Sequence, residues 1–235
     1  MSTTFANAHR VPEDASYTRF DAAQLLQHAA VFVSFTMLVI TGLAERYYQA
    51  GWAESVLLAF GGFDSTRLVH RIFGVMFTAS YANHFVYIMY VVFGRRTTRP
   101  TMLPSMKDAA DAFLYLKYSL GMTKEAPEAD RYDFRQKFEY WGMVFGGVVM
   151  IATGILLTYP IAITAFLPGE VVPAAKEFHR NEAMLAFLTI VIWHLYSAHL
   201  RPGNFPMDRT IVTGKMSRKR MEEEHPLELK SADRR

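Results

Sequence analysis

Four long apolar blocks constrain this chain more than anything else in its sequence. They run from Leu25 to Leu43, Leu68 to Phe93, Phe138 to Ile163 and Ala183 to Leu200, and charges are almost absent from their middles. Each is close to the ~20 residues that a helix needs to cross a ~30 Å hydrocarbon core. A helix also pairs its own backbone groups, which hydrocarbon demands of any open-ended element. The expected fold is therefore an all-α integral membrane protein, a four-transmembrane-helix bundle. The overall apolar content of 51% conceals this, because a soluble domain shows the same figure; the placement decides. A soluble bundle with deeply buried helices is the alternative, and the uncharged block centres argue against it.

The connections carry the charge, and unevenly. Residues 94–137 include Arg95, Arg96, Arg99, Lys107, Lys117, Lys124, Arg131, Arg135 and Lys137, and the tail from Arg201 is also basic. Loop 44–67 has only Arg46 and Arg67, and loop 164–178 only Lys176. The positive-inside bias then places both termini and the middle loop of a multi-pass protein in the cytoplasm. A pI near 9.0 reflects membrane-flanking basic loops facing lipid headgroups, with no nucleic acid implied. Residues 1–20 hold Glu13 and Asp14 and no apolar run, so they lack a signal peptide's features and the first span is expected to direct insertion.

The expected organisation is a cytoplasmic segment 1–20, a transmembrane domain 21–200 and a cytoplasmic tail 201–235. Ser105 followed by Asp108 reads as a helix start, and Met106, Ala109, Ala110, Phe113, Leu116 and Leu120 recur at helical spacing. That predicts a helix on the membrane surface, or one packed on the spans. Pro160, Pro168 and Pro173 should keep spans three and four from fusing.

The chain has no cysteine, which excludes disulfides, iron–sulfur ligation and covalently tethered c-type haem. It has eight histidines, and His28, His70, His84, His179, His194 and His199 lie within or beside the spans. Ionisable side chains are costly in hydrocarbon and usually mark a relay, an ion path or a cofactor. His70 and His84 are 14 residues apart on span two, and His179 and His194 are 15 apart on span four. At 1.5 Å per residue the separations are about 21 and 22 Å, with both members of each pair roughly on one face. Two such helices can clamp one haem near each membrane surface, giving a di-haem core. His70 and His179 fall in the outer layer; His84, His194 and His28 fall in the inner one. A third haem through His84 and His199 is a remoter option. The rival class is a non-haem membrane transporter or assembly factor using its histidines as a proton or metal relay.

Arg19-Phe20 with His28 and Gly42, His70-Arg71, Tyr132-Asp133-Phe134-Arg135-Gln136-Lys137, and His179 with His194 together resemble the cytochrome b (gamma) subunit of membrane-bound formate dehydrogenase. That subunit belongs to the wider bacterial cytochrome b and nickel–iron hydrogenase b-subunit family. The resemblance covers about Arg19 to Pro226. It implies a location in the bacterial inner membrane and two haem b groups, the outer held by His70 and His179 and the inner by His28 and His194. Spacing alone equally allows His84 as the inner partner of His194, and span four is one residue longer between its histidines than the resemblance implies.

The resemblance further implies a quinone, menaquinone or ubiquinone, near the start of span three. Asp133, Gln136 and Lys137 could there offer hydrogen bonds or protons, which quinone reduction consumes. The family usually has Asn where Asp133 stands, and the three residues also suit the polar start of a helix at the headgroups. The implied function is that of an electron-transfer subunit, not a stand-alone enzyme, linking quinone to an iron–sulfur, molybdenum or multihaem cytochrome c subunit outside the cytoplasm. Gly42, Gly74, Gly146, Gly147 and Gly154 suit close helix approach. Tyr47, Tyr48, Trp52, Trp141, Tyr159 and Trp193 suit an interfacial belt.

Overall fold

The computed structural model describes residues 16–94 and 102–232. His9, Glu13, Asp14, Arg95, Arg96, Arg99 and the last three residues lie outside them. Four helices in it are long and apolar enough to cross a membrane: Ala22–Arg46, Phe63–Gly94, Phe134–Thr158 and Val171–Leu200. They overlap the four apolar blocks and reach to or beyond every block limit except the C-terminal end of the third.

In chain order the elements are β1 (Ser16–Thr18), α1 (Ala22–Arg46), α2 (Gly51–Ala59), α3 (Phe63–Met89), α4 (Met106–Ser119), α5 (Phe134–Thr158), α6 (Pro160–Thr164), α7 (Val171–Leu188), α8 (Thr210–Thr213), β2 (Lys215–Ser217), α9 (Arg218–Glu224) and α10 (Pro226–Ala232). π-Helical turns continue α3 over Tyr90–Gly94 and α7 over Thr189–His194 and Tyr196–Leu200. The chain groups into two compact units, one of residues 1–22, 101–137 and 209–235, the other of residues 23–100 and 138–208.

The second unit is built inside out by the standards of water. Its interior is lined by small side chains, with Ser34, Thr41, Ala44 and Thr66 fully shielded. The three hydroxyls donate to carbonyls one turn back, at 2.8 Å to Ala30, 2.7 Å to Met37 and 2.9 Å to Gly62, so none is stranded. Large side chains point outward: Leu26, Val75, Phe138 and Ile192 are each about two-thirds or more exposed. At roughly 25 cal/mol per Å² such a surface is untenable in water, whereas lipid leaves it without penalty. The protein is a multi-pass membrane protein.

Two connections depart from the sequence reading. Loop 44–67 contains α2, nine residues whose Ala53 and Leu57 pack on Ala44 of α1. Gly61 and Gly62, at φ of 88° and 100°, then turn the chain into α3. Span three ends at Thr158, short of Ile163, because Pro160 opens the separate α6. Pro173 lies in the first turn of α7, where a missing N–H costs nothing, so it starts the span instead of delimiting it.

In the first unit β1 and β2 pair antiparallel, with Tyr17 opposite Met216, a small ladder in an otherwise helical chain. Tyr17 packs on a cluster of Met216, Met221 and Leu229. Arg19, 3% exposed, donates to Glu228 and to the Arg131 carbonyl, and Arg131 bonds the same carboxylate at 2.7 Å. Burial pulls the Arg19 guanidinium below its usual range, and Glu228 works against that shift. Helix α4 forms where the sequence predicted, with Ser105 N–H and hydroxyl donating to Asp108 at 2.6 and 2.8 Å.

Candidate cofactor site

Five intramembrane histidines are fixed by their neighbours, and the neighbours differ in kind. On α1, Thr41 Oγ1 lies 2.7 Å from the Met37 carbonyl and 2.8 Å from His70 Nδ1. A hydroxyl has one proton, and a carbonyl can only accept it. Toward His70 the oxygen must therefore accept, so Nδ1 carries the ring proton and Nε2 keeps its lone pair. The arrangement recurs on α5: Thr153 Oγ1 lies 2.7 Å from the Val149 carbonyl and 2.9 Å from His179 Nδ1. In each case a glycine follows the threonine. A Cβ on Gly42 would stand 3.1 Å from His70 Cε1, and one on Gly154 3.5 Å from His179 Cε1, so these glycines let the rings lie close against the helices.

His194 Nδ1 lies 2.5 Å from Glu139 Oε1, a hydrogen bond that occupies Nδ1 and leaves Nε2 free. His84 is different. Its Nδ1 is 2.8 Å from Gln27 Oε1 and its Nε2 is 2.9 Å from the Tyr140 hydroxyl, so both ring nitrogens are committed to protein partners. His199 Nδ1 accepts the Asp208 N–H at 3.2 Å.

The rings pair in two layers. His70 faces His179 and His28 faces His194, each with ring centroids 6.3 Å apart. A metal–nitrogen bond of about 2 Å to each of two opposed imidazoles, plus about 1 Å from nitrogen to ring centre, brings the centroids to roughly 6 Å. Each pair could thus hold one iron between its two rings. Among the described residues no group of three or more His, Asp or Glu is placed to hold a bare metal ion.

The sequence profile of the prokaryotic cytochrome b561 family matches residues 19–204. The chain belongs to that family. Its curated relatives include the cytochrome b556(Fdn) subunit of nitrate-inducible formate dehydrogenase from Escherichia coli K12, 21% identical over 199 residues that cover 85% of this chain and 83% of the relative. The cytochrome b556(fdo) subunit of formate dehydrogenase from the same organism is 21% identical over 182 residues, 77% of each chain. As a membrane cytochrome b the protein works in electron transfer, and haem b is the group its family implies.

Within this cytochrome the residues singled out at the start of span three bond one another and Asp108 at the start of α4. Asp133 Oδ1 accepts the Gln136 N–H at 2.8 Å and Gln136 Oε1 accepts the Asp133 N–H at 3.0 Å, a reciprocal cap on α5. Arg135 holds the other Asp133 oxygen at 2.6 Å. Lys137 Nζ donates to both Asp108 oxygens, at 2.8 and 2.9 Å. Burial raises the Asp108 pKa, but hydrogen bonds from Lys137 and Ser105 outweigh it and hold the carboxyl below its usual value.

Glu139, Thr41, Thr153, Gln27 and Tyr140 escaped the sequence reading. A threonine in a span usually satisfies itself on its own helix, so nothing marks Thr41 or Thr153 except the glycine after each. Glu139 did carry a signal: it is the one acid in the third apolar block.

Proposed function

We propose that this chain is a di-haem cytochrome b subunit that carries electrons across the membrane between the quinone pool and a redox partner subunit. The observation that carries the reading is the pair of facing imidazole couples, His70 with His179 and His28 with His194, both at 6.3 Å. Haem b, bound there, would supply a one-electron Fe(III)/Fe(II) couple in each layer. The protein's own part is to fix three of the four rings through Nδ1, and to hold His84 aside on Gln27 and Tyr140. His84 is then a structural neighbour of the inner layer and no ligand.

The basic loops support an orientation with both termini and residues 102–132 in the cytoplasm, so the His28–His194 layer is the inner one. The family resemblance supports a quinone, menaquinone or ubiquinone, at the first turn of α5. There the cap and the ion pair leave the Gln136 NH2 and one Lys137 proton to donate. The relatives named above are subunits of formate dehydrogenase. By that likeness the outer haem would meet an iron–sulfur, molybdenum or multihaem cytochrome c subunit of a larger oxidoreductase complex.

The deciding experiment is a reduced-minus-oxidised spectrum with pyridine haemochrome quantification on purified protein. About two haem b per chain are expected, falling to one in His70→Ala or His179→Ala with the inner haem retained. Protein without haem would return the histidines to the relay reading.

A further inference from the structure

The two histidine layers differ in the charge set behind their ligands. In the His70–His179 layer both Nδ1 protons go to neutral hydroxyls, Thr41 and Thr153. In the His28–His194 layer the His194 proton goes to a carboxylate, Glu139, whose side chain is only 14% exposed. Hydrogen bonds to an ionised partner are roughly twice as strong as neutral ones, and a poorly solvated charge acts at low effective dielectric. A carboxylate inside a span is costly to keep and requires compensation. Here the imidazole N–H provides it.

We propose, resting on the di-haem reading, that Glu139 is a positioning residue that gives His194 imidazolate character and so lowers the potential of the haem it ligates. A proton shared toward Glu139 makes Nε2 a stronger donor, and a stronger donor favours Fe(III) over Fe(II). The two threonine-backed ligands lack this push, so the layers are inequivalent by construction. Glu139 also pins the ring at the residue where the π-helical turn Thr189–His194 ends, so one side chain fixes both the direction and the electronics of the ligand.

The test is a potentiometric titration of purified full-length protein carrying Glu139→Gln, made in the His70→Ala background so that only the His28–His194 haem is read. The glutamine oxygen keeps an acceptor for Nδ1–H and removes the charge. Haem should be retained, and its Fe(II)/Fe(III) ratio at fixed ambient potential should rise about tenfold, which is about +59 mV for a one-electron couple. Thr153→Val in a His28→Ala background should leave the remaining haem's midpoint far less altered. A Glu139→Gln midpoint unchanged with haem in place overturns the inference and leaves the di-haem reading standing. A parent protein with no haem overturns that reading instead. If Glu139→Gln sheds its haem, Glu139→Asp decides. Binding with a midpoint near the parent's supports the charge, whereas loss in this variant too overturns it.

Discussion

On the di-haem reading, single protons decide which histidines would reach an iron. Thr41 and Thr153 spend theirs on the Met37 and Val149 carbonyls and so direct Nε2 of His70 and His179 away from the helices that carry them. His84 lies at the right depth and on a usable face, yet its two nitrogens are held by Gln27 and Tyr140. His28→Ala should therefore lower the haem content from about two per chain to about one, while His84→Ala leaves it at two. The latter would still lose some stability, about 1 kcal/mol, because the half-buried Gln27 and Tyr140 lose their hydrogen-bond partner. Pyridine haemochrome analysis of both variants checks this, and haem kept without His28 but lost without His84 would reverse the pairing. The histidine layers were legible in the sequence because an ionisable group in hydrocarbon has few reasons to be there. Between His28 and His84 the family resemblance favoured His28, while periodicity alone left both open, since it gives depth and face but says nothing of which ring nitrogens are already bonded. Asp133 and Gln136 were ambiguous for a related reason: a helix cap and a ligand site call for the same side chains.

Among the elements, α7 shows how a span absorbs an extra residue. In unbroken α-helix 15 residues rotate a side chain by about 60° net, whereas 14 rotate it by about −40°, a difference of one whole residue step. The turns over Thr189–His194 take i→i+5 bonds, which use more residues per turn, the change a 15-residue spacing needs to match the face of a 14-residue one. Deleting Ile190 should then close the wide turn into ordinary α-helix and leave two haems per chain. Loss of the His28–His194 haem in that variant would mean the π turn has another purpose. The sequence disclosed the extra residue as an anomaly of spacing; it could not disclose the remedy, because π turns have no residue signature comparable to a cap or a proline.

The tail elements carry a pH dependence of their own. His225, 4% exposed, donates to the Asp130 carbonyl at 2.8 Å, and burial first, then the Arg19 charge, lowers its pKa. With the folded value below the unfolded one of about 6.5, the unfolded state binds more protons in the interval between them. The stabilisation is complete above that unfolded value and is lost as pH falls through the folded one. Protease resistance of residues 216–232 should accordingly decline as pH falls below about 6.5. His225→Gln, which keeps a donor for Asp130 but does not titrate, should flatten that decline. An equal decline in the variant would place the sensitivity elsewhere.

For the whole molecule the decisive property is that its solvent is lipid. An interior of serine, threonine, alanine and glycine with an exterior of leucine, valine and phenylalanine is stable only where apolar exposure costs nothing, and it brings helices close enough for a threonine on one to reach a histidine on the next. Four spans, an even number, put residues 16–21, 102–133 and 201–232 on one side and residues 47–62 and 159–170 on the other. The excess of Lys and Arg in the first set predicts that side to be cytoplasmic. The chain contains no cysteine, so a single introduced thiol is an unambiguous reporter. Ser55 in α2 and Glu125 in the middle connection are both exposed and outside the histidine layers. In intact cells a membrane-impermeant maleimide should label Ser55→Cys and spare Glu125→Cys, and permeabilisation should expose the second site. Labelling of Glu125→Cys alone in intact cells would invert the protein, placing the Glu139-backed haem on the outer face and the threonine-backed haem on the cytoplasmic one.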